Sequence, residues 1–218
     1  MSGSNTRRLM IFTDGYPPYD QGGAWRIAYY HAKGFLDRGW EVGIICSQKP
    51  NEGTMVTMEE GIKVFRLFQM HRFSKNQQPS IGDKALQLST TLLNPFMPAK
   101  LQWAINEFSP DILHAHHIPR ISYRAFARVE SQLPRLLTFH TYHYECPKGG
   151  LFRKRKNAIC ESKPFPCQIF QKIMRQELSS INRIIAISPF IEKRLLSAGY
   201  SPDRVRYIPN GVPNLTDR

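Results

Sequence analysis

Residues 8–46, RLMIFTDGYPPYDQGGAWRIAYYHAKGFLDRGWEVGIIC, read as strand, glycine-containing loop, helix and strand, the opening unit of a parallel α/β sheet. Residues 9–12 are a short apolar run with the length of a strand buried on both faces. The run stops at Asp14 and Gly15, and Pro17 and Pro18 forbid both helix and ladder pairing beyond it. A helix is predicted after Gly22 and Gly23, with Trp25, Ala28, Tyr29, Ala32, Phe35 and Leu36 on one face at spacings of three and four. Gly39 ends that helix in a left-handed conformation, and 42–45 is the next buried strand.

Two residues without Cβ let backbone approach a ligand closely, and the helix that follows aims its first N–H groups and positive dipole end at it. Gly22 and Gly23 equally suit a long loop that must turn. The dinucleotide fingerprint G-x-G-x-x-G is missing.

The order of strand, D-G-Y-P-P-Y-D-Q-G-G, helix and R-G-W-E-V strand resembles the start of a family 4 retaining glycosyltransferase of the GT-B fold. The resemblance implies that Gly22 and Gly23 lie in a cleft beside the donor diphosphate and the acceptor. Trp40 stands where that family commonly has His.

A chain of 218 residues suffices for one well-buried domain with a long insertion. No apolar run approaches the ~20 residues of a membrane span, and residues 1–8 have no apolar core for a secretory signal. Four cysteines without such a signal argue for a reducing cytoplasm over a disulfide framework. The net charge of +13 implies an anionic partner, namely nucleic acid, an acidic membrane surface or phosphorylated substrates, or else a solvated basic surface.

Further strands are expected at 55–58 and 63–68 around Glu59, Glu60 and Gly61, then a loop insertion at 69–84 carrying His71, Arg72, Phe73 and Lys75. A helix over 85–108 is broken by Pro95 and Pro98. The strand 112–116 ends in HAHH, and PDILHAH matches the P-D-hydrophobic-hydrophobic-H-x-H pattern of the same family. His114 and His116 share a strand face. That suits metal binding, although zinc needs three or four ligands; cleft lining and structural hydrogen bonding is the preferred reading. A helix is expected over 120–130.

His140 stands at the carboxyl end of a strand at 136–139, the edge where open α/β sheets place ligands. It reads as a structural histidine, a general acid/base, or a neutral donor to a sugar hydroxyl or phosphate. The resemblance to the family's T-x-H-D motif favours a histidine facing the reacting sugar; here Thr141 replaces the Asp. Cys146-Pro147 with Cys160 and Cys167 resembles a branch with cysteines in an inserted loop, here 145–168. Three thiolates with a histidine such as His143 would suit structural zinc, but two of the cysteines equally suit a buried, inert role, and no bound metal is the preferred reading. Between them Arg153, Lys154, Arg155 and Lys156 form a cationic run, read as a patch for a membrane or anionic acceptor.

A helix at 169–178 and a strand at 183–187 lead to Ser188 as N-cap with Pro189 at the first helical position. That helix carries Phe190, Ile191, Leu195 and Leu196, and 204–208 is the last strand. A-I-S before the helix and V-x-x-I-P-N-G-V after it are a signature of the family, marking the end of its first domain.

The resemblance implies an α/β, Rossmann-like three-layer domain with a mainly parallel sheet over 1–212, one half of a GT-B architecture, with 213–218 starting an interdomain linker. The carboxy-terminal donor domain is then missing. The implied reaction moves a sugar from a UDP- or GDP-sugar to a hydroxyl of an acceptor glycan or glycolipid, lipid-linked or polymeric, without a tightly bound cofactor or catalytic metal. His140 would be catalytic, and Gly22, Gly23, His116, Thr141, Ser188, Asn210 and Gly211 would hold donor or acceptor. The domain alone is expected to be inactive and cytoplasmic, on the inner face of the membrane. Two rival readings are a split-enzyme subunit that pairs with a separate donor domain, and a basic nucleic-acid-binding protein.

Overall fold

The computed structural model describes residues 6–18, 22–48, 52–68, 96–129, 132–153 and 157–211. The opening unit is β1 (Arg8–Phe12), α1 (Gly23–Leu36) and β2 (Glu41–Ser47). There follow β3 (Met55–Glu59), β4 (Ile62–Leu67), α2 (Met97–Phe108), β5 (Ile112–Ala115), α3 (Tyr123–Ala127) and β6 (Arg135–Phe139). A small pair, β7 (Phe152–Arg153) and β8 (Ala158–Ile159), precedes α4 (Phe165–Glu177), β9 (Arg183–Ala186), α5 (Pro189–Ser197) and β10 (Val205–Tyr207).

Period-two alternation sorts β1 between two cores. Leu9 and Ile11 pack with Ala28 and Ala32 of α1, and Met10 and Phe12 pack against α2 and α3 on the opposite face. Phe12 meets the ring of Phe126 edge-on at 4.9 Å. The eight-stranded sheet runs β10-β9-β6-β5-β1-β2-β4-β3, and every pair is parallel except β3 with β4. The expected Rossmann-like α/β class is therefore the observed one. β1 has β2 on one side and β5 on the other, so the strand order reverses between β1 and β5, the point at whose carboxyl ends open α/β sheets place ligands.

The hairpin around Glu60 and Gly61 forms as expected, both residues taking positive φ. Gly39 is left-handed at φ 78, closing α1. In α1 Ile27 is buried and Trp25 only half-buried, which turns the apolar face slightly from the predicted one. The helix expected over 120–130 shrinks to the five residues of α3, capped by Ser122 Oγ accepting from the Ala125 N–H. The insertion ends earlier than expected, because α4 begins at Phe165 after Pro164 and takes Cys167 into its first turn. The 69–84 insertion, residues 85–95 of the broken helix and the 213–218 linker lie outside the described residues.

Candidate functional site

The carboxyl ends of β5 and β6 lie side by side, with His114 in register with Leu136 and Ala115 with Leu137. His116 leaves β5 one residue after its end, and His140 does the same at β6. His114 is in register with Ile11 and faces α1, where the small Ala28 and Ala32 bring the helix close enough for His31 to reach the same place. The His31 ring lies 5.0 Å from that of His116 and 6.0 Å from that of His114, centre to centre.

These imidazoles form a chain. His31 Nδ1 is 3.3 Å from His116 Nε2, and His116 Nδ1 is 3.0 Å from His140 Nε2. His114 instead engages Thr138 Oγ1 at 2.8 Å, while its ring lies 4.3 Å from that of His116. Burial, reinforced by the neighbouring histidines, pushes His114 down to about 3, and His140 falls to about 4 by burial and then His31. His116 lies well below the ordinary histidine value, and burial lowers His31. All four are neutral at pH 7, so each ring carries one proton, and each N···N contact has one donor and one acceptor. One tautomer then dictates the next along the chain.

A second layer supports the edge. Asp14, just past β1, accepts from the backbone N–H of Arg120 at 2.8 Å and of Ile121 at 3.0 Å, holding the loop after His117. Burial pushes Asp14 up to about 7, against the lowering influence of those N–H groups and the Arg120 charge. His117 and His143 rings meet at 5.4 Å.

Of the residues singled out from sequence, His116 and His140 are thus brought into contact. Thr141 turns to His143 Nδ1 at 2.7 Å. Ser188 is engaged as the α5 N-cap, accepting from the Ile191 N–H. Asn210 and Gly211 lie exposed beyond β10, three strands from β5, about 14 Å along the same edge at 4.7–4.9 Å per strand. Gly22 is the N-cap of α1 with extended backbone at φ 178, and Gly23 opens the helix. A Cβ on Gly23 would meet nothing within 4 Å, and one on Gly22 would make ordinary contact with Trp25 at 3.6 Å. The fold of the chain itself therefore does not require either glycine.

Structural zinc is the lesser reading of the three loop cysteines. All four cysteines are free, and Cys146, Cys160 and Cys167 do not assemble as a ligand group among the described residues. Cys160 Sγ accepts from Arg153 Nε at 3.2 Å. His143, the suggested fourth ligand, is engaged by Thr141 and packs so closely on Gly149 that a Cβ there would sit 2.3 Å from its ring. Arg153 also donates to Ser162 O at 2.7 Å, so it ties the insertion together; Lys154, Arg155 and Lys156 lie outside the described residues. Beside them, Phe152 and Ile159 form an exposed cross-strand pair at 53% and 54%. A pocket of about 310 Å³ between α4 and the end of α5, lined by Lys163, Lys172 and Arg175, contains none of the histidines.

Sequence reasoning missed His31, Thr138 and Asp14. His31 lies three residues after Ala28 but at the margin of the face predicted to be buried, so it carried no signal of its own. Asp14 carried only its place at a strand end.

The backbone is similar to several solved enzymes. Sucrose-phosphate synthase from Thermosynechococcus elongatus matches with TM-score 0.61 at 15% identity over 93% of this chain and 48% of that one. The catalytic domain of starch synthase IV from Arabidopsis thaliana, bound to ADP and acarbose, gives 0.58 at 12% over 96% and 52%. Anabaena HepE in complex with UDP-glucose gives 0.52 at 15% over 94% and 44%. The chain spans about half the length of these proteins. No curated protein matches it in sequence. The family model described as Glycosyltransferase Family 4 matches residues 21–214, and the chain belongs to that family.

Proposed function

We propose that residues 1–212 are the acceptor-side domain of a retaining glycosyltransferase that moves a sugar from a UDP- or GDP-sugar to an acceptor hydroxyl across a cleft closed by a second domain. The observation that carries this reading is His140. It sits at the carboxyl edge of β6, its Nε2 is engaged by His116, and burial keeps it neutral. A neutral imidazole so held can donate from Nδ1 to a sugar oxygen on which charge develops, without first being deprotonated. Gly22 and Gly23 support the same reading, since close approach by a ligand gives their missing Cβ atoms a purpose that the chain's own packing does not. The complexes of HepE with UDP-glucose and of starch synthase IV with ADP support a nucleotide-sugar donor.

The acceptor is a glycan or glycolipid. Exposed Phe152 and Ile159 beside the cationic run 153–156 suit a lipid-linked acceptor at an anionic surface, and among the described residues no helix is long and apolar enough to cross a membrane. Tyr207 and Ile208, exposed just before Pro209, offer an apolar face to a donor domain, whether joined to this chain or carried by a separate subunit.

The test starts from the native polypeptide in its source cells, sized by intact mass and assayed with UDP- and GDP-sugars. Donor-dependent transfer that His140→Ala abolishes supports the reading. Transfer undiminished in His140→Ala overturns the role of His140, and absence of any transfer or donor hydrolysis overturns the enzymatic reading. Appreciable transfer by residues 1–218 alone would overturn the need for a second domain.

A further inference from the structure

Three histidines from two elements converge on one point beneath the carboxyl edge. One ring nitrogen from each of His31, His114 and His116 lies within 4.8 Å of the other two. The His31 Nδ1 to His116 Nε2 distance is 3.3 Å. Two zinc–nitrogen bonds of about 2.0–2.1 Å at a tetrahedral angle place their nitrogens about 3.3–3.4 Å apart. The distance that serves an N–H···N hydrogen bond therefore also serves two ligands of one ion.

The remaining nitrogens are arranged as outer partners of ligating histidines usually are. His114 engages buried Thr138 Oγ1 through Nε2, which leaves Nδ1 for coordination. His116 engages His140 through Nδ1, which leaves Nε2.

We propose that His31, His114 and His116 form a binding site for a borderline transition-metal ion of the zinc type, with its fourth position open. Three imidazoles and no oxygen ligand select such an ion over magnesium or calcium, which take oxygen ligands. The ion sits behind His140 rather than on it. Coordination through Nε2 confines the proton of His116 to Nδ1, where it can only donate to His140 Nε2. That leaves the His140 proton on Nδ1. Without the ion, the His31–His116 contact can run in either direction, and the tautomer of His140 is not fixed. The metal site itself does not depend on the glycosyltransferase reading; only this consequence for His140 does.

The experiment titrates the chelator-stripped 218-residue chain with Co²⁺ and then Zn²⁺. The expected result is one equivalent of Co²⁺ with the visible absorption of four-coordinate cobalt, bleached by Zn²⁺. His31→Ala, at a half-buried helix position, should weaken binding by more than the roughly 10–100-fold that losing an outer partner costs. Thr138→Val should weaken it within that range. The combined Cys146→Ser, Cys160→Ser and Cys167→Ser variant should bind as tightly as the parent. No uptake, uptake indifferent to His31→Ala, or uptake lost with the three cysteines would each overturn the proposal.

Discussion

His116 engages two other histidines at once, with His140 Nε2 3.0 Å from its Nδ1 and His31 Nδ1 3.3 Å from its Nε2. It is wholly buried, so water cannot substitute for either partner. A helix residue is thereby connected to the edge of β6 through a single ring. If His140 acts on the reacting sugar as proposed, His116 positions it, and its loss should act on the chemical step more than on binding.

His116→Gln in the native polypeptide should therefore lower kcat about 10–100-fold, the scale on which orienting partners act, with the donor KM changed less than about threefold. Steady-state kinetics between pH 6 and 9 separate the two effects. A rise in KM at constant kcat would move His116 into donor binding.

Burial of the histidines makes stability fall in acid. Each has a folded-state pKa below its ordinary value, so between the two the unfolded chain binds more protons, and stability rises with pH. The contribution is fully present above pH 6.5 and is lost as pH falls toward 4 and below. At pH 5 His114, held down to about 3, lowers stability by about 2 kcal/mol relative to pH 7.5, and His116 acts in the same direction. Asp14 has the opposite sign, because its raised pKa adds stability below the window up to about 7, and it offsets roughly one histidine. The metal-free chain should melt several degrees lower at pH 5 than at pH 7.5, and calorimetry in buffers of different ionisation enthalpy should report net proton uptake on unfolding. Equal melting temperatures would mean that the cluster is hydrated.

The fold was legible because β1 and β2 carry continuous apolar runs, the pattern that burial on both faces imposes, and β5 and β6 are short, largely apolar strands between helices. The place of His140 at the end of β6 was legible from the strand pattern, but its role was implied only by the resemblance to the T-x-H-D motif. His31 was not, since its importance arises only when α1 folds onto β5, eighty-three residues away in sequence by subtraction of 31 from 114. Ser188 shows the opposite case. Its sequence context serves the cap of α5, and the structure engages its side chain there. For the cysteines, spacing alone could not reveal that Arg153 engages Cys160 and Thr141 engages His143.

Gly22→Ala and Gly23→Ala should separate stability from function. Neither position lies in the left-handed region, and a Cβ finds open space or ordinary contact. Reducing the freedom of the unfolded chain should stabilise by about 0.4–1 kcal/mol. Donor or acceptor binding should weaken at least about tenfold, because the methyl group takes the space that a ligand would occupy beside the α1 N-terminus. Urea titration and equilibrium binding on the same samples decide the matter. Unchanged binding would leave the diglycine as a loop device.

The insertion depends on one carboxylate. Glu145 is 1% exposed and accepts from Arg194 Nε at 2.6 Å, Arg194 Nη2 at 3.0 Å and Lys163 Nζ at 2.9 Å. Burial alone would raise its pKa, but the two cations overcome that and hold it below the usual carboxylate value. Glu145 opens the insertion, Lys163 nearly closes it, and Arg194 belongs to α5, so one group of charges fixes both ends to the body. Arg194→Ala leaves the carboxylate buried with only the lysine and should cost about 3 kcal/mol by urea unfolding. The double variant Glu145→Gln with Arg194→Met removes the stranded charge and should recover part of that loss, a coupling that a double-mutant cycle measures. A loss near zero for Arg194→Ala would mean that Lys163 alone holds the insertion.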